Sequence, residues 1–196
     1  MNIPRLESLN FTSKFTDSPL IKAAETKTFH KDAPYYEQSL AKITKLYDVR
    51  IPQNNGYWEG EPGNSIWNPD QEQVPTVYNP DGKTWGEILD KFDVSDGIPF
   101  KDGYPIFDEV SKGDVQIDDF TTDRAKNFSQ ADIKLAEQKD CDPEDVEKWR
   151  KENGYTWHEC EDMKTLKKVP SEIHNNVPHS GGVSEAKKAA QENNIA

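Results

Sequence analysis

The chain has 196 residues, with 24 Lys+Arg against 36 Asp+Glu for a net charge of −12, 33% hydrophobic residues, 13 Pro, 11 Gly and a mean hydropathy of −0.95. That composition describes one or two small domains with an ordinary core wrapped in irregular chain, because the apolar fraction falls below the roughly 45–50% usual for a domain even when Gly is counted. It excludes a membrane span, which needs roughly 18 consecutive apolar residues, and its acidity weakens nonspecific binding to phosphate, which rests on Lys and Arg.

Residues 1–50 read as an N-terminal arm or lead-in. Met1–Arg5 opens no apolar signal-peptide core, so the chain is expected to stay in the cytoplasm or to leave by a machine that reads no such signal. Tyr36, Leu40, Ile43 and Tyr47 fall near helical spacing and predict a helix over Tyr35–Val49, after Asp32-Ala33-Pro34. His30 reads as a solvent-exposed residue. From Ile51 to about Asp118 aromatics alternate with Gly, Pro, Asn and Asp, as in Asn55-Gly56-Tyr57-Trp58-Glu59-Gly60, which predicts turns and short strands. Trp58, Trp67 and Trp85 would pack a loop-rich core in preference to stacking bases.

Thr121–Gln138 is the first strong helical stretch, with Phe128, Ala131, Ile133, Leu135 and Ala136 as its apolar stripe. A second helix follows over Pro143–Arg150, with Asp142 at the N-cap, Pro at the first position and Asn153-Gly154 as the stop. Residues 187–196 are polar and predict a frayed end. Two cysteines, Cys141 and Cys160, are too few for a disulfide framework and read as ordinary thiols. From Lys139 onward the net charge is only −3, against −9 for residues 1–138, so the C-terminal third keeps a nucleic-acid role open.

Three of the four histidines, His158, His174 and His179, fall within 22 residues. Gly154 to Asp162 reads as a strand, Thr165–Pro170 as a second strand after a polar turn, and Ser171 begins a short helix halted by Pro178 or Gly181. A hairpin followed by a helix brings a strand residue against helix histidines, and imidazole beside carboxylate is a common ligand set for a divalent transition metal. His174 and His179 lie five apart, one beyond the one-turn spacing, so convergence is open on helix geometry alone. Trp157 reads as core or as a wall of this site. Lys164, Lys167 and Lys168 form the best basic patch beside it and suit phosphate contact, though a solvated strand face accounts for them equally well.

Tyr155-Thr156-Trp157-His158-Glu159, Val169-Pro170, Ile173-His174 and His179-Ser180-Gly181-Gly182 resemble the HNH/endonuclease VII superfamily of His-Me finger nucleases. The similarity is to its toxin branch, whose signature reads Tyr-Thr-Trp-His-His or Tyr-Thr-Trp-His-Glu. It extends to Gly56–Trp67 and Asp123–Phe128, covering roughly residues 51–182. The resemblance implies an α+β chain with a loop-rich N-terminal part of short strands and helices. Residues 51–196 would be a nuclease toxin domain, its C-terminal core a ββα-metal finger at about 154–186.

It implies, further, a metal-dependent endonuclease that hydrolyses phosphodiester bonds with one divalent ion (Mg, Mn, Zn or Ni), on DNA ahead of RNA. His158 would be the general base, His174 and His179 the metal ligands, and Glu159 a further ligand or a residue that orients water. In the wider superfamily an acidic residue precedes the His, so the roles of His158 and Glu159 stand open to exchange. As a bacterial antibacterial toxin the chain would be secreted by a specialised system, act in the target-cell cytoplasm, require a cognate immunity protein and take no membrane partner. The competing reading is a noncatalytic acidic binding module with the histidines closed around a structural metal, or a degenerate nuclease fold retained for protein binding.

Overall fold

A computed structural model describes residues 49–95 and 97–193; the arm, the helix expected over Tyr35–Val49 and His30 lie outside these, apart from Val49. The chain is α+β, with two small antiparallel sheets and five helices among the described residues. The first sheet is β1 (Gly56–Trp58), β2 (Ile66–Pro69), β3 (Ile98–Lys101) and β4 (Tyr104–Pro105) in chain order. The short strands expected between Ile51 and Asp118 are therefore present.

Within that region stands a helix not expected there, α1 (Trp85–Lys91). Thr84 and Glu87 close a capping box, each side chain bonding the other's backbone N–H. Two orphan donors are thus satisfied at the start of a helix of only two turns. Trp67 and Trp85 pack edge to face with centroids 5.9 Å apart, and with Ile88, Leu89, Ile98, Phe100 and Phe107 they make one core cluster. Trp58 packs against that cluster, its ring edge-on to Phe100, so all three tryptophans serve packing.

The second sheet has the order β5 (Asp114–Gln116), β7 (Thr165–Pro170), β6 (Tyr155–Glu159). Helix α2 (Arg124–Lys139) starts at Asp123, whose carboxylate accepts from the N–H groups of Ala125 and Lys126, and ends at Asp140 in the left-handed region. Helix α3 (Pro143–Glu152) follows, with Pro at its first turn, and Gly154 supplies a positive φ of 70° just past its end. Asp142 occupies the N-cap position with no side-chain bond.

Strand alternation decides what each side of this sheet meets. Leu166 of β7 and Trp157 of β6 face α2 and α3, joining Val115, Ala131, Leu135 and Val146 in a second core. Val169, one face over, joins the first core with Ile173 and Val177. The sheet is a partition between two apolar clusters, and residues next to each other on β6 face different ones.

After β7 the chain turns through α4 (Ser171–His174), a single turn that ends at Asn175, earlier than the expected stop at Pro178 or Gly181. Lys91 of α1 donates to the buried Glu172 at 2.5 Å and fastens α4 in place. The frayed end expected over residues 187–196 is corrected over 187–193, which belong to helix α5 (Gly182–Asn193). Its start demands glycine. A Cβ on Gly181 would lie 2.6 Å from the Glu159 carbonyl oxygen, and one on Gly182 would lie 2.4 Å from that of Cys160. The pair lets α5 begin against the end of β6.

Both cysteines are free, Cys141 exposed and Cys160 buried. No described helix is long and apolar enough to cross a membrane.

Candidate metal centre

His158 points to the face of β6 away from α2, His174 closes α4, and His179 lies in the loop before α5. One ring nitrogen from each lies within 4.8 Å of the other two. Nδ1 of His158 stands 3.3 Å from Nε2 of His174. The Pro178 segment makes this possible: the chain leaves helical geometry after His174, so the five-residue spacing is no obstacle. Phe107, which is 1% exposed, forms the floor beneath all three rings, with centroids 4.9, 5.9 and 5.6 Å from those of His158, His174 and His179.

Hydrogen bonds set two of the tautomers. Nδ1 of His179 donates to the Val177 carbonyl at 2.8 Å, and Nδ1 of His174 donates to Oδ1 of Asn175 at 3.0 Å. In each neutral ring the remaining nitrogen, Nε2, therefore carries a lone pair. Burial holds the rings neutral, since charging an imidazole out of water is costly. It pushes His174 down to about 3 and His179 down to about 4, and, with the neighbouring imidazoles adding to it, holds His158 well below its ordinary value. Three neutral nitrogen donors converging on one point are chemically suited to a divalent transition ion. Among the described residues this is the group of His, Cys, Asp and Glu with that property.

Glu159 lies one residue on and faces the other way. Its side chain is 3% exposed; Oε1 accepts from Nδ2 of Asn127 at 2.7 Å and Oε2 from Nε of Arg124 at 3.0 Å. Burial raises its pKa, against the pull of the Asn127 hydrogen bond and the Arg124 charge. Asn127 is itself fully buried and also bonds both backbone groups of Thr121, so the first turn of α2 is tied to the end of β6. Arg124 and Asn127 stand three apart, on one face of the helix. Both lie in the Asp123–Phe128 stretch singled out above, but sequence reasoning assigned them no role; their spacing on a capped helix was the available signal.

Trp157 is fully buried, and its indole N–H donates to Asp132 at 2.8 Å. The same carboxylate takes a bidentate pair from Arg150 at 3.1 and 2.7 Å.

A cavity of about 280 Å³ opens beside the imidazoles, lined also by Glu159, Arg50, Arg124 and Lys187. Lys164, Lys167 and Lys168 do not line it. Lys164 is exposed in the β6–β7 turn. Burial works against the charge of Lys167, yet hydrogen bonds to Asp108 at 2.5 Å and Asp114 at 2.7 Å outweigh it and hold the ammonium above its ordinary value. Lys168 is buried on the α3 side, with Nζ 4.3 Å from the centre of the Trp149 ring, and its pKa is lowered by burial.

No curated protein matches the chain. A family model described as the DNase/tRNase domain of colicin-like bacteriocin matches residues 98–181, which run from β3 through the three histidines to the first of the paired glycines. That match, over somewhat less than half of the 196 residues, supports a nuclease toxin domain.

Proposed function

We propose that the chain is a metal-dependent endonuclease of the His-Me finger type, cleaving phosphodiester bonds, DNA ahead of RNA, as an antibacterial toxin whose producer carries an immunity protein. The observation that carries this reading is the division of labour across β6. His158 meets His174 and His179 on one face, while Glu159 stands free of that group on the other. We assign His158, His174 and His179 as the metal ligands and move the base role from His158 to Glu159.

The donor set fits such an ion, and all-nitrogen ligation favours Zn or Ni over Mg, which prefers oxygen. When bound, the cation would offset negative charge developing on the scissile phosphate and the leaving oxygen. Glu159 accepts the proton of the attacking water. Asn127 and Arg124 occupy one acceptor site on each carboxylate oxygen and fix its orientation, and other lone pairs remain for a water. Its raised pKa brings it nearer to neutral, where a general base works best. Arg124, its side chain 61% exposed, reaches from Glu159 to the mouth of the cavity.

The noncatalytic reading has less support. A closed structural zinc site takes four protein ligands, whereas the group among the described residues has three and adjoins an open cavity. Plasmid DNA and total RNA, each incubated with the purified chain and Mg, Mn, Ni, Zn or EDTA, test the proposal beside His158→Ala. The expected result is cleavage that requires a metal and disappears in the variant. A folded, metal-bound chain that cleaves neither polymer would leave the binding module as the better account.

A further inference from the structure

In a chain of net charge −12, the cavity at the imidazoles reverses the sign. Three cations line it, Arg50, Arg124 and Lys187, against the single carboxylate of Glu159. Each arrives from a different part of the chain. Arg50 precedes β1, and its backbone N–H donates to the Ser180 hydroxyl at 2.8 Å across 130 residues, which brings it to the loop holding His179. Arg124 opens α2. Lys187 lies on α5, whose start is held against β6 by the close approach of Gly181 and Gly182.

Among the described residues, two of these cations are not spent on internal pairing and the third is spent only in part. Among the described residues Arg50 and Lys187 are exposed and form no ion pair, in contrast to Lys167 or Lys188, which are held by carboxylates. Arg124 uses only its Nε–H on Glu159, which leaves four further donors on its guanidinium. The cavity offers little else to a nucleic acid. Apart from the three imidazoles its lining contains no aromatic ring on which a base could stack, and its side chains are mainly polar. Its cationic, polar lining suits a phosphodiester group better than a base.

We infer that Arg50, Arg124 and Lys187 form a three-cation rim that seats backbone phosphates at the metal centre. The rim rests on the nuclease reading for its purpose. It is not the Lys164, Lys167 and Lys168 patch, and Arg50 and Lys187 lie outside the residues matched by the family model.

The test is binding of a fluorescein-labelled 30-bp duplex to the full chain in EDTA, which prevents turnover, followed by anisotropy across 50–200 mM NaCl. Each phosphate contact contributes about 0.9 to the magnitude of the log–log salt slope on duplex DNA. Arg50→Gln/Lys187→Gln is expected to reduce that magnitude by about 1.8 and to weaken binding at least about tenfold at 50 mM salt. Lys112→Gln, an exposed lysine elsewhere, serves as the control. An unchanged slope in the double variant, or no binding by the wild-type chain, overturns the rim. Binding with the expected slopes but no cleavage with any metal would keep the rim and overturn the nuclease reading, so the two fail separately. Circular dichroism of the double variant, whose replaced side chains are exposed, confirms that lost binding is not lost folding.

Discussion

The two faces of β6 each bury a polar cluster, and the clusters are built to opposite rules. On the α2–α3 face, Asp132 takes two hydrogen bonds from Arg150 and one from Trp157, so that charge and donors are matched within the protein. On the other face three neutral imidazoles crowd together, Nδ1 of His158 lying 3.3 Å from Nε2 of His174 and one ring nitrogen of each within 4.8 Å of the other two, with no carboxylate in the group. A charge-matched buried network rigidifies a fold, whereas neutral nitrogen donors gathered at one point beside a cavity suit a cation from outside. Burial alone therefore does not separate architecture from function in this molecule. The chemistry of what each cluster gathers, and whether it adjoins the cavity, does.

The largest effects should come from the open cluster. His158→Ala is expected to abolish binding of the divalent ion in a calorimetric titration, and cleavage with it. Glu159→Gln should retain one metal per chain while kcat falls about 10²–10⁴-fold, the usual worth of a positioned base. If Glu159→Gln loses the metal and His158→Ala keeps it, the assignment of the two faces is inverted.

Next in size comes the closed cluster. Asp132→Ala strands the Arg150 charge and should cost about 3–5 kcal/mol in urea denaturation, as breaking a buried pair from one side does. His174→Ala in the metal-free chain should cost less than that. Equal losses would erase the distinction between the two clusters.

Acid should also discriminate. A histidine whose folded pKa lies below its unfolded value contributes its full stability above the unfolded value, near 6.5, and loses it as pH falls toward the folded one. The metal-free chain should therefore weaken from about pH 6.5 downward, by about 1 kcal/mol per pH unit for each such imidazole. His174→Gln should remove one histidine's share of that slope in urea midpoints measured between pH 7.5 and 5. An identical slope in the variant would mean that His174 is not held neutral by burial.

The smallest effect is expected at Lys168, whose ammonium lies over Trp149 on the closed side. Lys168→Met should change stability by about 1 kcal/mol or less, because a lost cation–π contact is offset by relief of a buried charge. The KM for nucleic acid should not move. A raised KM would restore Lys168 to the phosphate-binding set.

Much of this was local enough to be read from the chain. The helix expected over Thr121–Gln138 forms over Arg124–Lys139, Asp142 marks the start of α3, Asn153-Gly154 marks a stop, and the strand, turn, strand and short helix around the histidines all form. Caps, proline at a first turn and period-two alternation act within a few residues, so a sequence carries them without knowledge of the fold. The Thr84-Glu87 capping box was equally local and announces α1, although the surrounding turn-rich text pointed elsewhere. Helix α5 was less legible, because its polar residues 187–193 look like a frayed end when considered without β6 behind them.

What the sequence by itself determined is the clustering of three histidines, the alternation that separates His158 from Glu159, and the glycines at 181 and 182. Only the tertiary structure decided which neighbour each face of β6 would meet. That put Glu159 with Arg124 and Asn127, drew Arg50 to Ser180, and turned Lys167 and Lys168 to structural partners. The reason is physical: dihedral preferences and capping bonds are settled by adjacent residues, whereas the partner of a side chain depends on which distant segments pack together to bury apolar surface.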